Sequence, residues 1–158
     1  MKHIVGVSDM IITDNKDDII VTHALGSCIG VAVYDPVACV GGVLHYMLPR
    51  SGADSEKAKK NPLMFGDTGI PILFESAYKA GAIKKRMRVV IAGGAQVFAC
   101  ENVFDIGKRN TLIARKLFWK NNILISAEDV GGNKPRTMYL EMQTGKTWFT
   151  SRGEYKEL

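Results

Sequence analysis

Ile29-Gly30-Val31-Ala32-Val33-Tyr34, then Asp35-Pro36-Val37-Ala38, then Val40-Gly41-Gly42-Val43-Leu44-His45-Tyr46-Met47-Leu48 is the stretch that decides the fold. Two apolar, β-branched runs flank an Asp-Pro pair, which is a turn signal, so the segment reads as a β-hairpin. A hairpin forces antiparallel pairing on its neighbours. Working outward, Val5 to Thr13, Ile19 to Thr22, Arg88 to Ala92, Ile123 to Ala127, Arg136 to Met142 and Lys146 to Ser151 read as further strands, with Thr144-Gly145 turning between the last two. One helix runs from Asp67-Thr68 to Ala80-Gly81. Its apolar residues Ile70, Leu73, Phe74, Ala77 and Tyr78 fall at helical spacing, and Gly81 suits the C′ position. Pro71 favours Thr68 as the cap, because a proline is tolerated in a first turn. A second helix, Ile106 to Asn122, turns Ile106, Ile113, Leu117 and Phe118 inward and Lys108, Arg109, Arg115, Lys116 and Lys120 outward. Pro49 to Pro62 reads as an exposed loop. The economical architecture is an α/β sandwich, two main helices covering a mostly antiparallel sheet.

The chain has 158 residues, enough for one domain over 1–158. Hydrophobic residues at 46% and charged residues at 23% exclude global disorder. No apolar run approaches the roughly 18 residues of a membrane span, and the amino-terminal residues show no secretory leader, so a soluble cytoplasmic protein is expected. The net charge of +5 suits an acidic partner and is equally ordinary for a soluble protein. The basic helix carries no nucleic-acid-binding signature, and a solvated face accounts for it. Gly145-Lys146-Thr147 mimics the end of a phosphate-binding loop, but Leu140 stands where the first glycine belongs and a strand follows.

Cys28, Cys39 and Cys100 are an odd number of cysteines with no CxxC spacing, which argues against both a disulfide framework and a closed zinc site. Thr22-His23-Ala24-Leu25-Gly26-Ser27-Cys28 delivers a cysteine to the start of a strand. A lone free cysteine is most often a small buried hydrophobe. The hairpin changes that: if Val33 pairs with Val40, Cys28 lies directly opposite His45 on the same face, with Cβ atoms about 4.5–5.5 Å apart. A one-residue slip would put them on opposite faces. An adjacent imidazolium lowers a thiol pKa, and the imidazole can then protonate a leaving group. Thr22 is near enough to orient the imidazole, and the N–H groups of the Gly26-Ser27-Cys28 turn are candidates for an oxyanion hole. His23 competes as base but lacks the hairpin geometry; His3 is expected in solvent. Cys39 and Cys100 are read as structural.

Thr22, Leu25-Gly26-Ser27-Cys28, Asp35-Pro36 and His45-Tyr46-Met47-Leu48-Pro49 together resemble the chemoreceptor glutamine deamidase family CheD. Ala92-Gly93-Gly94-Ala95, Ile106-Gly107 with Arg109-Asn110, and Ala127-Glu128-Asp129 with Gly131-Gly132-Asn133 and Arg136 extend the likeness over nearly the whole chain. The resemblance implies a three-layer α/β sandwich. It also implies hydrolysis of glutamine side-chain amides on methyl-accepting chemotaxis receptors to glutamate and ammonia, with receptor methyl esters as a further substrate in some members. Cys28, His45 and Thr22 match the family's catalytic residues, no cofactor or metal is needed, and the phosphatase CheC is the implied partner. Two segments fall outside the likeness: Glu56 to Phe65, and Phe98-Ala99-Cys100-Glu101-Asn102. The alternative is a non-catalytic module of the same fold that binds CheC or receptors; conversion of amide to acid separates the two.

Overall fold

The computed structural model describes residues 1–52, 55–96 and 105–158. In chain order the elements are β1 (Lys2–Val5), β2 (Asp9–Thr13), β3 (Ile19–Leu25), β4 (Ile29–Asp35), β5 (Val40–Tyr46), α1 (Ser55–Lys60), α2 (Gly66–Lys79), β6 (Arg88–Gly93), α3 (Ile106–Lys120), β7 (Ala127–Val130), β8 (Arg136–Glu141), β9 (Thr147–Ser151) and β10 (Glu154–Glu157). The strands form two five-stranded sheets, β1-β3-β8-β9-β10 and β2-β5-β4-β6-β7. Each is antiparallel except for one parallel pairing, β1 with β3 in the first and β6 with β7 in the second.

Two cores make this a three-layer sandwich. Ile29, Val31, Val33, Leu44 and Tyr46 of the second sheet pack with Ile70, Leu73, Phe74, Ile113 and Phe118 of α2 and α3. The other face of the same sheet, through Ala32, Tyr34, Val43, Val90 and Ala92, packs on Val5, Ile20, Leu25, Met138 and Leu140 of the first sheet. Every residue of β4 and β5 is therefore buried, whereas β8 and β9 alternate between buried and partly exposed positions. A sheet covered on both faces reads as a continuous apolar run; one with a wet face alternates.

Four details differ from the sequence reading. The run Val5 to Thr13 is two strands in different sheets, broken by Gly6 to Ser8, where Ser8 takes a left-handed φ of 60°. The strand expected over Ile123 to Ala127 begins instead at Ala127, and β10 adds a strand. Within the loop expected over Pro49 to Pro62, Ser55–Lys60 is helical, while Ala53 and Asp54 lie outside the described residues. Helix α2 starts at Gly66 with Phe65 at the cap, leaving Pro71 inside the helix on an exposed side. The start is fixed by tertiary contacts: Gly66 N–H donates to the Leu48 carbonyl at 2.8 Å, and the Thr68 hydroxyl donates to the Pro62 carbonyl instead of capping. The other end is as read, with Ala80 at the C-cap and Gly81 at φ 112°.

Candidate active site

Alternation along β4 and β5 decides what faces what. Ala32 and Tyr34 look toward the first sheet, and so does Val43 on β5. Residues spaced by two share a face, so Gly30 and His45 look the same way. Cys28, just before β4, packs half-buried against that same inter-sheet core. The hairpin closes with Asp35 opposite Val40, and His45 stands opposite Gly30. The expected pairing of Val33 with Val40 is therefore displaced by two residues: Val33 faces Gly42. The cause is Asp35, whose buried carboxylate accepts from Val37 and Ala38 N–H at 2.9 and 3.1 Å and shortens the connection to Pro36 to Cys39. An even displacement preserves the face, so Cys28 and His45 become diagonal neighbours, a relation with a backbone spacing of about 7–8 Å that longer side chains cross.

His45 is fully buried. The Thr22 hydroxyl donates its single proton to the Val5 carbonyl at 2.8 Å and lies 2.7 Å from His45 Nδ1. With that proton committed, the hydroxyl can only accept, so Nδ1 carries the ring hydrogen. Nε2 is then an unprotonated lone pair, and it is buried with no hydrogen-bond partner among the described residues. Burial pulls the His45 pKa down from 6.5 to about 4. Burial also pushes the Cys28 thiol up, against a smaller opposing pull from its own backbone N–H. At neutral pH the free site thus holds a neutral imidazole and a thiol, not the imidazolium and thiolate of the sequence reading. Asp9, the cross-strand neighbour of His45 on β2, is exposed and accepts from Met10 N–H, so it does not orient the ring.

The turn that carries Cys28 is held from three sides. Its carbonyls at Gly26, Ser27 and Cys28 accept from Ala95 N–H (2.8 Å), Asn110 Nδ2 (2.8 Å) and Gly94 N–H (2.9 Å). Gly93 approaches so closely that a Cβ would stand 2.2 Å from the Cys28 carbonyl oxygen, and its φ is 114°. Gly26 N–H is taken by the Ala24 carbonyl at 3.0 Å, which removes it from the oxyanion candidates. Among the described residues, the N–H groups of Ser27 and Cys28 find no backbone carbonyl. Ala24, at the bulge between Thr22 and Leu25, is held at φ 58°. His23 is exposed at that bulge. His3, expected in solvent, is partly exposed and also meets Asp18 at 2.9 Å. Cys39 lies half-buried in the hairpin turn at φ 54°, and Cys100 is outside the described residues. No three His, Cys, Asp or Glu side chains among the described residues converge as metal ligands.

The family model for CheD chemotactic sensory transduction matches residues 47–151. Over 150 residues the chain is 55% identical to the probable chemoreceptor glutamine deamidase CheD 1 of Syntrophus aciditrophicus, covering 95% of this chain and 94% of that protein. This chain belongs to the CheD family. The probable chemoreceptor glutamine deamidase CheD of Solibacter usitatus is 48% identical over 98% of this chain and 92% of its own length, and that of Clostridium botulinum 43% identical over 94% and 92%. Among solved structures, the Bacillus licheniformis hypothetical protein YfiH covers 76% of this chain and is covered over 49% of its own, at 14% identity and a TM-score of 0.45.

Two residues of this CheD chain carry structure that the sequence reading left without a role. Asn110, fully buried on α3, donates through Nδ2 to the Ser27 carbonyl and, at 2.9 Å, to the Met47 carbonyl. Its signal was a polar residue at a helix position in phase with Ile106, Ile113 and Leu117. Arg136, buried opposite Leu25 on β8, donates to Asp129, to Gly131 and to the Gly93 carbonyl, and so braces the glycine loop behind Cys28. A buried, fully bonded cation of this kind is architectural.

Proposed function

We propose that this chain is a protein-glutamine deamidase that acts on chemoreceptors, a single domain over 1–158 working in the cytoplasm, with the phosphatase CheC as its regulatory partner. The reading is supported by the relatives' names and by one observation above all: a buried imidazole whose Nδ1 is tied to Thr22 and whose Nε2 lone pair has no partner, on the face that carries Cys28. A buried acceptor without a partner costs stability, on the order of 1–3 kcal/mol, and a position that retains one needs a reason other than folding.

Neutral Nε2 takes the Cys28 proton as sulfur attacks the carboxamide carbon. Negative charge moves to the carbonyl oxygen, where Ser27 and Cys28 N–H groups are the donors within the turn. Nε2–H then gives its proton to the departing nitrogen, ammonia leaves and a thioester remains. Water, deprotonated by the same nitrogen, attacks the thioester; the C–S bond breaks, the thiol recovers its proton and glutamate is released. Thr22 keeps the ring in the tautomer this cycle needs. The sulfur is half-buried and the base is fully buried. Replacing a glutamine by a carboxylate adds a charge to the receptor and can shift its signalling equilibrium.

Mass spectrometry of a receptor fragment incubated with wild type and Cys28→Ala tests the proposal. A gain of the acid at specific glutamines, with ammonia, is expected only with the wild type. Equal conversion by the folded Cys28→Ala variant sinks the nucleophile; binding without conversion by the wild type favours the non-catalytic module.

A further inference from the structure

The three carbonyls of the Cys28 turn each have a dedicated donor, and two of these donors are backbone N–H groups, from Gly94 and Ala95. The third is a side chain, Asn110 Nδ2 on the Ser27 carbonyl. In a planar trans peptide the C=O and N–H point in opposite directions. Asn110 lies on α3, so the Ser27 carbonyl is drawn toward the helix layer. The N–H of the same peptide unit, that of Cys28, is thereby turned the other way, to the inter-sheet side where the Cys28 sulfur packs. The second Nδ2 hydrogen bond reaches Met47, two residues beyond His45, so one amide group also ties the nucleophile turn to the strand that carries the base. Asn110 Oδ1 is buried with no partner among the described residues, so this side chain acts there through its donors alone. The Asn110 carbonyl in turn accepts from the buried Tyr46 hydroxyl, which fixes α3 against β5.

We infer that Asn110 is a positioning residue of the deamidation, orienting the Ser27–Cys28 peptide so that the Cys28 N–H is presented to the oxyanion. The inference rests on the deamidase reading above. Its role is exerted through Cys28, without touching substrate.

Four proteins test it: wild type, Asn110→Ala, Asn110→Asp and, as a core change on the same helix outside the clamp, Ile113→Val. Asn110→Ala and Asn110→Asp are expected to lower kcat about 10²–10³-fold, the range for loss of one oxyanion donor, with KM changed less than threefold. Ile113→Val keeps the wild-type kcat. A folded Asn110→Ala with kcat within threefold of wild type overturns the inference, as does an equal fall in Ile113→Val. If Asn110→Ala does not fold, Asn110→Ser, which retains one short donor, is read by the same criterion. The pH profile of Cys28 alkylation by iodoacetamide, followed on the Cys28 peptide, is a second readout that needs no receptor. With its N–H released, the sulfur in Asn110→Ala is expected to alkylate along a profile displaced to higher pH. An undisplaced profile overturns the role of Asn110, even if wild type proves to release no ammonia and the deamidase reading fails on its own.

Discussion

The two ends of the β4–β5 hairpin bury a titratable group with opposite consequences. At the turn, Asp35 has no exposed surface, yet its carboxylate takes hydrogen bonds from Val37, Ala38 and Ile83 N–H and from Arg86 Nε. Burial alone would raise its pKa, but the bonds from Ile83, Arg86, Ala38 and Val37 together overrule it and hold it at about 2. At the open end His45 is equally buried, but one nitrogen is bonded and the other is not, and burial carries its pKa down to about 4. A buried polar group with all its partners supports the fold; one left short of a partner is available for proton transfer.

The largest test is His45→Ala, expected to lower deamidation about 10³–10⁴-fold, as loss of a triad-type base does, while leaving the protein folded. Asp35→Ala is the mirror image. It strips the turn donors and Arg86 of their partner and is expected to cost about 2–4 kcal/mol in chemical denaturation, with activity per folded molecule unchanged. Thr22→Val keeps the shape and removes the hydroxyl that fixes the His45 tautomer. A fall in kcat of roughly 10–100-fold is expected there, from loss of orientation with the base itself still present.

The pH dependence separates the two ends further. The unfolded chain binds a proton on His45 below 6.5, which the folded chain refuses until about 4, so stability falls as pH drops through that window. Asp35 has the same sign in a lower window: its contribution is present above the ordinary carboxylate value of 3.8 and is lost as pH falls through about 2. Denaturant midpoints measured from pH 7 to 4 should slope in the wild type and flatten in His45→Gln. The acid limb of kcat/KM should lie well below 6.5. The smallest effect is at the other described thiol: Cys39→Ser should leave activity unaltered and stability within about 0.5 kcal/mol.

Why the sequence revealed some of this and concealed the rest follows from particular residues. That Cys28 and His45 share a face was legible, because parity along a hairpin survives any even error in register. The register itself was not, because Asp35 closes the turn with its own side chain, and strand patterns do not record that. The division into two sheets was hidden for the same reason that β4 and β5 lack alternation: both their faces are covered. Asn110 was visible as a polar residue on an apolar helix face, but the carbonyls it holds come from Ser27 and Met47, more than 60 residues away in the chain. The start of α2 likewise depends on Leu48, which local capping rules do not consult.

The link between β1 and β2 crosses from one sheet to the other beside His45. Val5 pairs with Thr22 in the first sheet, Asp9 pairs with His45 in the second, and Ser8 N–H donates to the His45 carbonyl at 2.8 Å. The Thr22–His45 hydrogen bond therefore works as a calliper across the gap between the sheets. Gly30, opposite His45, leaves a methyl group no free room: a Cβ there would stand 2.9 Å from Met138 Sδ. A change that wedges the two layers apart by a few tenths of an ångström would open that calliper before it melts the protein. Turnover should then register repacking between the sheets more sensitively than the melting temperature does.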